Sequence, residues 1–218
     1  MSLLPSQTLL CVPTQLELDH LKAAAPDTFT GSRWAEIAVI GFGPVAAAAS
    51  TAALVAAHRP QHVLLMGIAG TYLTEEEVGT AVTFGSVSID GVGAGEGEEL
   101  LAPAAMGFPQ WSPPSGEPVF DSLPLTAEGP ELLTVCAAAH GAEMLAARRA
   151  RFPNAVAEDM ESFGVALAAS MAGIPTTTIR GLSNQAGNRD AKSWRIEAAL
   201  SAAAGLLVSS NRRVAEDA

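Results

Sequence analysis

Lysine is almost missing from this 218-residue chain: Lys22 and Lys192 are the only two. Lysine and arginine total 12 against 23 aspartates and glutamates, so the net charge is −11. No basic stripe exists to neutralise phosphates, which excludes a nucleic-acid binder. The one basic cluster, Arg148, Arg149 and Arg151, reads as a solvated helix face. Cysteine is also scarce. Cys11 and Cys136 both sit in apolar runs, and are expected as buried thiols in a reducing compartment. The four histidines (20, 58, 62 and 140) have no metal-ligand spacing and are expected at the surface or at caps, so no metal site is implied. Neither a Gly-x-x-x-x-Gly-Lys-Ser/Thr phosphate loop nor a Gly-x-Ser-x-Gly elbow is present, which removes two large enzyme classes. The one uncharged run of membrane length, residues 37–57, is mostly alanine and contains Gly41, Gly43 and Pro44. It suits a strand, a turn and a helix better than a membrane span. The first residues carry no basic leader segment. The expectation is a cytoplasmic protein.

What is present is a folding composition. Apolar residues make up 49 % and charged ones 16 %, within the range of globular domains. The length fits one domain over 1–218 that buries roughly 70 % of the extended chain's surface. Apolar or β-branched runs predict strands at 8–12, 36–40, 62–68, 132–138, 154–157 and 176–182, with one or two more in 78–89. Helices are predicted at 17–25, 45–58, 142–151, 160–172 and 193–209. Residues 91–118 carry five prolines and read as a loop insertion, too long for a simple connection. The alternation predicts a three-layer α/β/α domain around a mixed, largely parallel sheet. In such sheets ligands sit beyond the carboxyl ends of strands.

Four strand ends carry candidate chemistry. They are Pro13-Thr-Gln-Leu-Glu17, Gly67-Ile68-Ala69-Gly70-Thr71, Glu158-Asp159-Met160-Glu161 and Arg180-Gly-Leu-Ser183-Asn184. Each also has a plain reading. Glu17, Glu158, Asp159 and Glu161 are equally acids placed near helix starts, where the dipole favours them. The glycines suit tight packing and Asn184 suits a turn. Gly41-Phe-Gly-Pro44 imitates a dinucleotide fingerprint, but no acid ends the following strand and Pro44 lacks an N–H. Nicotinamide binding is therefore not expected.

Taken together, these segments resemble the nucleoside phosphorylase and nucleosidase superfamily. Gly41-Phe-Gly-Pro-Val-Ala-Ala-Ala, Met66-Gly-Ile-Ala-Gly70, Phe152-Pro-Asn-Ala-Val-Ala-Glu-Asp-Met-Glu161 and Ile179-Arg-Gly-Leu-Ser-Asn184 run in the family's order. Within it the likeness is greatest to the futalosine hydrolases. It rests on Gly93-Ala-Gly-Glu-Gly97, Met106-Gly-Phe108 and above all Ser183-Asn-Gln-Ala-Gly-Asn-Arg-Asp190 with Trp194.

The resemblance implies a hydrolase that cleaves the N-glycosidic bond of futalosine, releasing hypoxanthine on a route to menaquinone. It implies Glu17 as general base, Glu161 as acceptor for the ribose hydroxyls, and Asn184 facing the purine. Ile68, Ala69, Gly70, Asp159, Met160, Arg180 and Ser183 are implied as substrate-binding residues. Arg180 reads equally as a partner for Glu161 or Asp159. Arg189 reads as a partner for Asp190 or for the carboxylate of futalosine's aromatic tail. Trp111 and Phe108 are candidates to cover that tail. No cofactor, nucleic acid or membrane is implied; a small-molecule nucleoside and a homo-oligomer are. Other purine nucleosidases, for methylthioadenosine, S-adenosylhomocysteine or aminodeoxyfutalosine, stay open. So do a phosphorylase and a non-catalytic purine binder.

Overall fold

A computed structural model describes residues 4–29, 33–95 and 97–216. Met1–Leu3 and Glu96, both part of segments read above, lie outside the described residues. The sheet starts with β1 (Thr8–Val12), whose five residues are all buried. Its side chains alternate between two cores, as the two-residue period of a strand requires. Leu10 and Val12 face α1 (Gln15–Ala24), α2 (Pro26–Phe29) and α7 (Ile196–Glu216), among Leu18, Leu21, Phe29 and Leu200. Leu9 and Cys11 face α3 (Pro44–His58) and α6 (Ser162–Met171), among Ala47, Val55, Val165 and Ala169. The strand is covered on both faces, which is why it reads as one unbroken apolar run.

Next to β1 lie β2 (Glu36–Val39) and β3 (His62–Thr71), both parallel to it. β3 is ten residues long and organises the molecule. One edge pairs along its length with the parallel β9 (Thr176–Gln185). The other edge is shared. Its first half takes β1 in parallel, and Gly70 and Thr71 take β8 (Ala155–Asp159) antiparallel. The carboxyl ends of β1 and β8 therefore approach the middle of β3 from opposite directions.

Beyond β8 lie β7 (Glu131–Val135), β5 (Ser86–Asp90) and β6 (Ser122–Pro124); beyond β9 lies β4 (Ala81–Phe84). Only Gly85 separates β4 from β5, so the two arms of the sheet are joined and the sheet curls on itself. Ala69, Phe84, Val87, Leu132, Ala157 and Leu182, from six strands, meet in one cluster. Five of the eight strand pairings are parallel and three antiparallel, which agrees with a mixed, largely parallel sheet.

Residues 91–118 contain α4 (Pro103–Met106) and two isolated bridges, Ala94 to Leu101 and Trp111 to Val119. Other expectations shift. β7 stops at Val135, so Cys136 is exposed, while Cys11 is buried as expected and its thiol is pushed up to about 12 by burial. His62 is also buried rather than at the surface. It bonds Thr177 at 2.8 Å, and burial lowers its pKa to about 4. Arg148, on α5 (Gly141–Arg151), is 5 % exposed and not solvated. It pairs with Glu158 at 2.7 Å and Asp90 at 3.2 Å, and Arg151 joins Asp90 at 2.7 Å. Among the described residues no helix is long and apolar enough to cross a membrane.

Candidate active site

The site forms where β1 and β8 meet β3. Thr14 leaves β1 in extended backbone and caps α1, its hydroxyl accepting from the Glu17 N–H at 3.3 Å. That places Glu17 in the first turn, pointing back across the end of the sheet. The carboxylate is 4 % exposed. It accepts from the Thr14 hydroxyl at 2.6 Å and from the Ile68 N–H of β3 at 2.9 Å. Gly67 is required by close approach, because a Cβ there would lie 2.7 Å from Glu17 Oε1 and collide with Arg180 Nη1. Those two atoms therefore flank the same point of β3.

Arg180 comes from β9 and is fully buried. Its Nη2 donates to Asp159, to Glu161 at 3.3 Å and to Ser162 at 3.2 Å. Nε and Nη1 have no partner among the described residues. Both readings of Arg180 as an acid partner hold together. Asp159 ends β8 with its side chain wholly buried, taking bonds from Thr134, Ser162 and Arg180. Its carboxylate thus positions Arg180, while the residue borders the cavity. Glu161 is the cap residue before α6 and not part of the helix. Its Oε1 accepts from the Gly43 N–H at 3.0 Å. Gly43 holds φ +89°, a left-handed conformation that suits glycine, so the Gly-Phe-Gly-Pro turn presents its N–H to a carboxylate of its own chain. The Glu161 pKa is pushed up to about 7, chiefly by burial. Asp159 and Glu17 push the same way, and Arg180 and the Gly43 N–H oppose them.

A cavity of about 270 Å³ lies over these groups. Ile68, Ala69 and Gly70 form one side, and Met160, Ser183 and Asn184 also line it. Asn184 lies within β9 and not in a turn. Its Oδ1 accepts from the Ser183 hydroxyl at 2.8 Å and its Nδ2 donates to the Gln185 carbonyl at 3.0 Å. The second amide N–H is left for the cavity. The candidate residues of the four segments thus line one cavity, except Arg180, which is fully buried against Asp159 and Glu161 and does not border it.

Phe42, Val135 and Ala138 also line the cavity and were missed by sequence reasoning, while Leu16 and Glu158 lie in the strand-end segments already singled out but had been given no role in the site. Phe42 is 68 % exposed, and a lone aromatic between two glycines could have signalled a rim. Glu158 ties the 136–140 segment to the sheet through the Ala139 N–H at 2.7 Å. Two expectations fail. Trp111 borders a different cavity, beside Pro175 and Ala166, and Phe108 lines neither. The Arg189–Asp190 pair is also not formed. Asp190 accepts from the Lys192 N–H, and Arg189 stacks on Trp194 at 4.9 Å. Among the described residues no group of three histidines, cysteines or acids is placed to hold a metal ion.

Residues 35–210 match the model of the phosphorylase superfamily. The chain belongs to that superfamily. It is 35 % identical over 174 residues to futalosine hydrolase of Streptomyces coelicolor, covering 77 % of this chain and 74 % of that protein. The fold matches the methylthioadenosine/S-adenosylhomocysteine nucleosidase of Colwellia psychrerythraea, solved with adenine, at TM-score 0.73 and 19 % identity over 95 % of each chain. It matches the native futalosine hydrolase of Helicobacter pylori at TM-score 0.71 and 16 % identity, over 94 % of this chain and 97 % of that one. The expected fold is therefore the observed one.

Proposed function

We propose that this chain hydrolyses futalosine, releasing hypoxanthine and leaving the sugar-linked remainder for menaquinone synthesis. The observation that carries the mechanism is the meeting of Glu17 and Arg180 over Gly67, with Glu161 beside them. Glu17 Oε1 and Arg180 Nη1 hold a water above β3. Glu17 takes its proton as the oxygen attacks the anomeric carbon. The carbon–N9 bond breaks, and its electron pair leaves with the purine. Positive charge builds on the ribose, as in glycoside hydrolysis, and Glu161 accepts from the ribose hydroxyls and offsets that charge. Met160 is a soft wall against the sugar.

Asn184 donates its remaining N–H to the departing 6-oxopurine. An amide cannot hand over a proton. The base leaves as a stabilised anion and takes its proton from solvent. Water fits better than phosphate as nucleophile. The segment 13–21 holds no arginine, and Glu17, Glu158, Asp159 and Glu161 all border the cavity, which repels an anion. Two free cysteines suit the cytoplasm. Phe42 at the cavity and Val45 three residues on, 68 % and 82 % exposed, suit a homo-oligomer that covers them.

The test is a panel of futalosine, aminodeoxyfutalosine, methylthioadenosine and inosine, with and without phosphate, with the released base identified. Hypoxanthine from futalosine, indifferent to phosphate, is expected. Adenine release, phosphate dependence or binding without turnover would each move the function to one of the alternatives.

A further inference from the structure

The cavity is lined by four acids, and among the described lining residues Arg189 is the only cation. It is exposed at the rim, and no carboxylate of the described residues forms an ion pair with it. Its guanidinium instead lies over the Trp194 ring at 4.9 Å. The loop that carries both residues is tied to itself. Trp194 Nε1 donates to the Asn188 carbonyl at 3.3 Å, Asn188 Nδ2 to the Ser193 hydroxyl at 3.1 Å, and the Asp190 N–H to Asn188 Oδ1 at 2.9 Å. The loop leaves β9 only a few residues after Asn184, so purine contact and rim belong to one segment. Stacking holds the guanidinium while leaving its in-plane donors free, and those donors match a carboxylate in a forked geometry.

Of the other cations near the site, two are committed and Lys192 of the same loop does not border the cavity. Arg180 is buried against Asp159 and Glu161, and Arg195 donates to the Val78 carbonyl. The lining also holds apolar groups, the exposed Leu16 and Phe42 and the half-buried Trp194 and Ile196. A site that is acidic at its floor and carries one free cation among aromatic and aliphatic groups at its rim suits one ligand. That ligand is a purine nucleoside whose sugar extends into an aromatic group bearing an anion.

We propose that Arg189, held by Trp194, is the specificity residue that binds the aryl carboxylate of the substrate. The inference rests on the futalosine reading, since futalosine has such a tail. Arg189 recognises a part of the molecule remote from the bond that breaks, and a pair made equally in ground and transition states lowers KM and leaves kcat unchanged. A charge-assisted pair at a partly exposed rim gives about a tenfold preference for acid over neutral ester.

Steady-state kinetics of the full chain on futalosine and on its carboxyl methyl ester test this. The wild-type protein should show a KM about tenfold lower for the acid, with similar kcat. Arg189→Gln should raise the KM for futalosine to that of the ester, and Arg189→Lys should restore part of the preference. Added salt should narrow the wild-type preference, because the pair is partly exposed. Equal KM increases for acid and ester in Arg189→Gln would overturn the proposal. So would a wild-type enzyme that hydrolyses both equally well at low salt. Failure to release hypoxanthine from either compound would overturn the substrate reading as well, which separates the two outcomes.

Discussion

Glu17 is a buried carboxylate held by one backbone N–H and one hydroxyl, aimed at the point where an arginine nitrogen has no partner. Such an acceptor has one use in a water-splitting site. Glu17→Gln keeps the shape and the size, and should lower kcat by at least ~10²-fold while circular dichroism and melting stay close to wild type. Glu161 differs, because burial raises its pKa to about 7. In the proposed role it must be ionised to accept from the ribose hydroxyls, and it loses that form as pH falls through its raised pKa. The pH profile of kcat/KM should therefore rise through an acid limb near 7 and then level, and a flat profile from pH 5 to 8 would remove Glu161 from that role. Asn184 has one amide N–H left for the purine. Asn184→Asp should shift preference toward adenine nucleosides, measured as the ratio of kcat/KM for aminodeoxyfutalosine to futalosine. An unchanged ratio would mean that selection lies elsewhere.

Strand β8 does two jobs with alternate side chains. Asp159 turns toward Arg180, and Glu158 turns toward Arg148, Tyr72 and the Ala139 N–H. The second set fastens α5 and the 136–140 segment to the sheet. Arg148→Ala leaves Glu158 buried without its cation and Asp90 with Arg151 alone, and should cost about 3–5 kcal/mol in urea unfolding. Arg149→Ala, one residue on and exposed, should cost under about 0.5 kcal/mol. Local sequence could not separate these two arginines, since the partner acids lie 58 and 10 residues away from Arg148. The same non-locality hid the antiparallel approach of β8 to β3, which rests on Gly70 and Thr71. It also hid the short edge strand β6, because three residues ending at Pro124 carry no periodicity. What was legible follows from burial. β1 and β3 are covered on both faces and read as continuous apolar runs, and small residues at strand ends marked where backbone and acids approach. Glu17, Glu161 and Asn184 stand at those ends, where each also has a plain reading, and the family resemblance rather than spacing singled them out. Phe42 stands on a rim loop, where no pattern assigns a partner; Arg189 has two readings in the sequence, and the folded loop removes the Asp190 pair by setting its guanidinium over Trp194.

Over the whole molecule, the curled sheet brings the carboxyl ends of β1 and β8 head-on against the middle of β3, with β9 alongside. Glu17, Glu161 and Asn184 then line one cavity, with the buried Arg180 against Glu161, though they span positions 17 to 184. The excess of acid over base at its walls disfavours phosphate and leaves water as the attacking group. The most direct test is product analysis of futalosine turnover in ¹⁸O-water containing phosphate. The account predicts unlabelled hypoxanthine and a sugar product that carries one ¹⁸O at its anomeric carbon. An unlabelled sugar phosphate, or intact futalosine after prolonged incubation with folded protein, would contradict it.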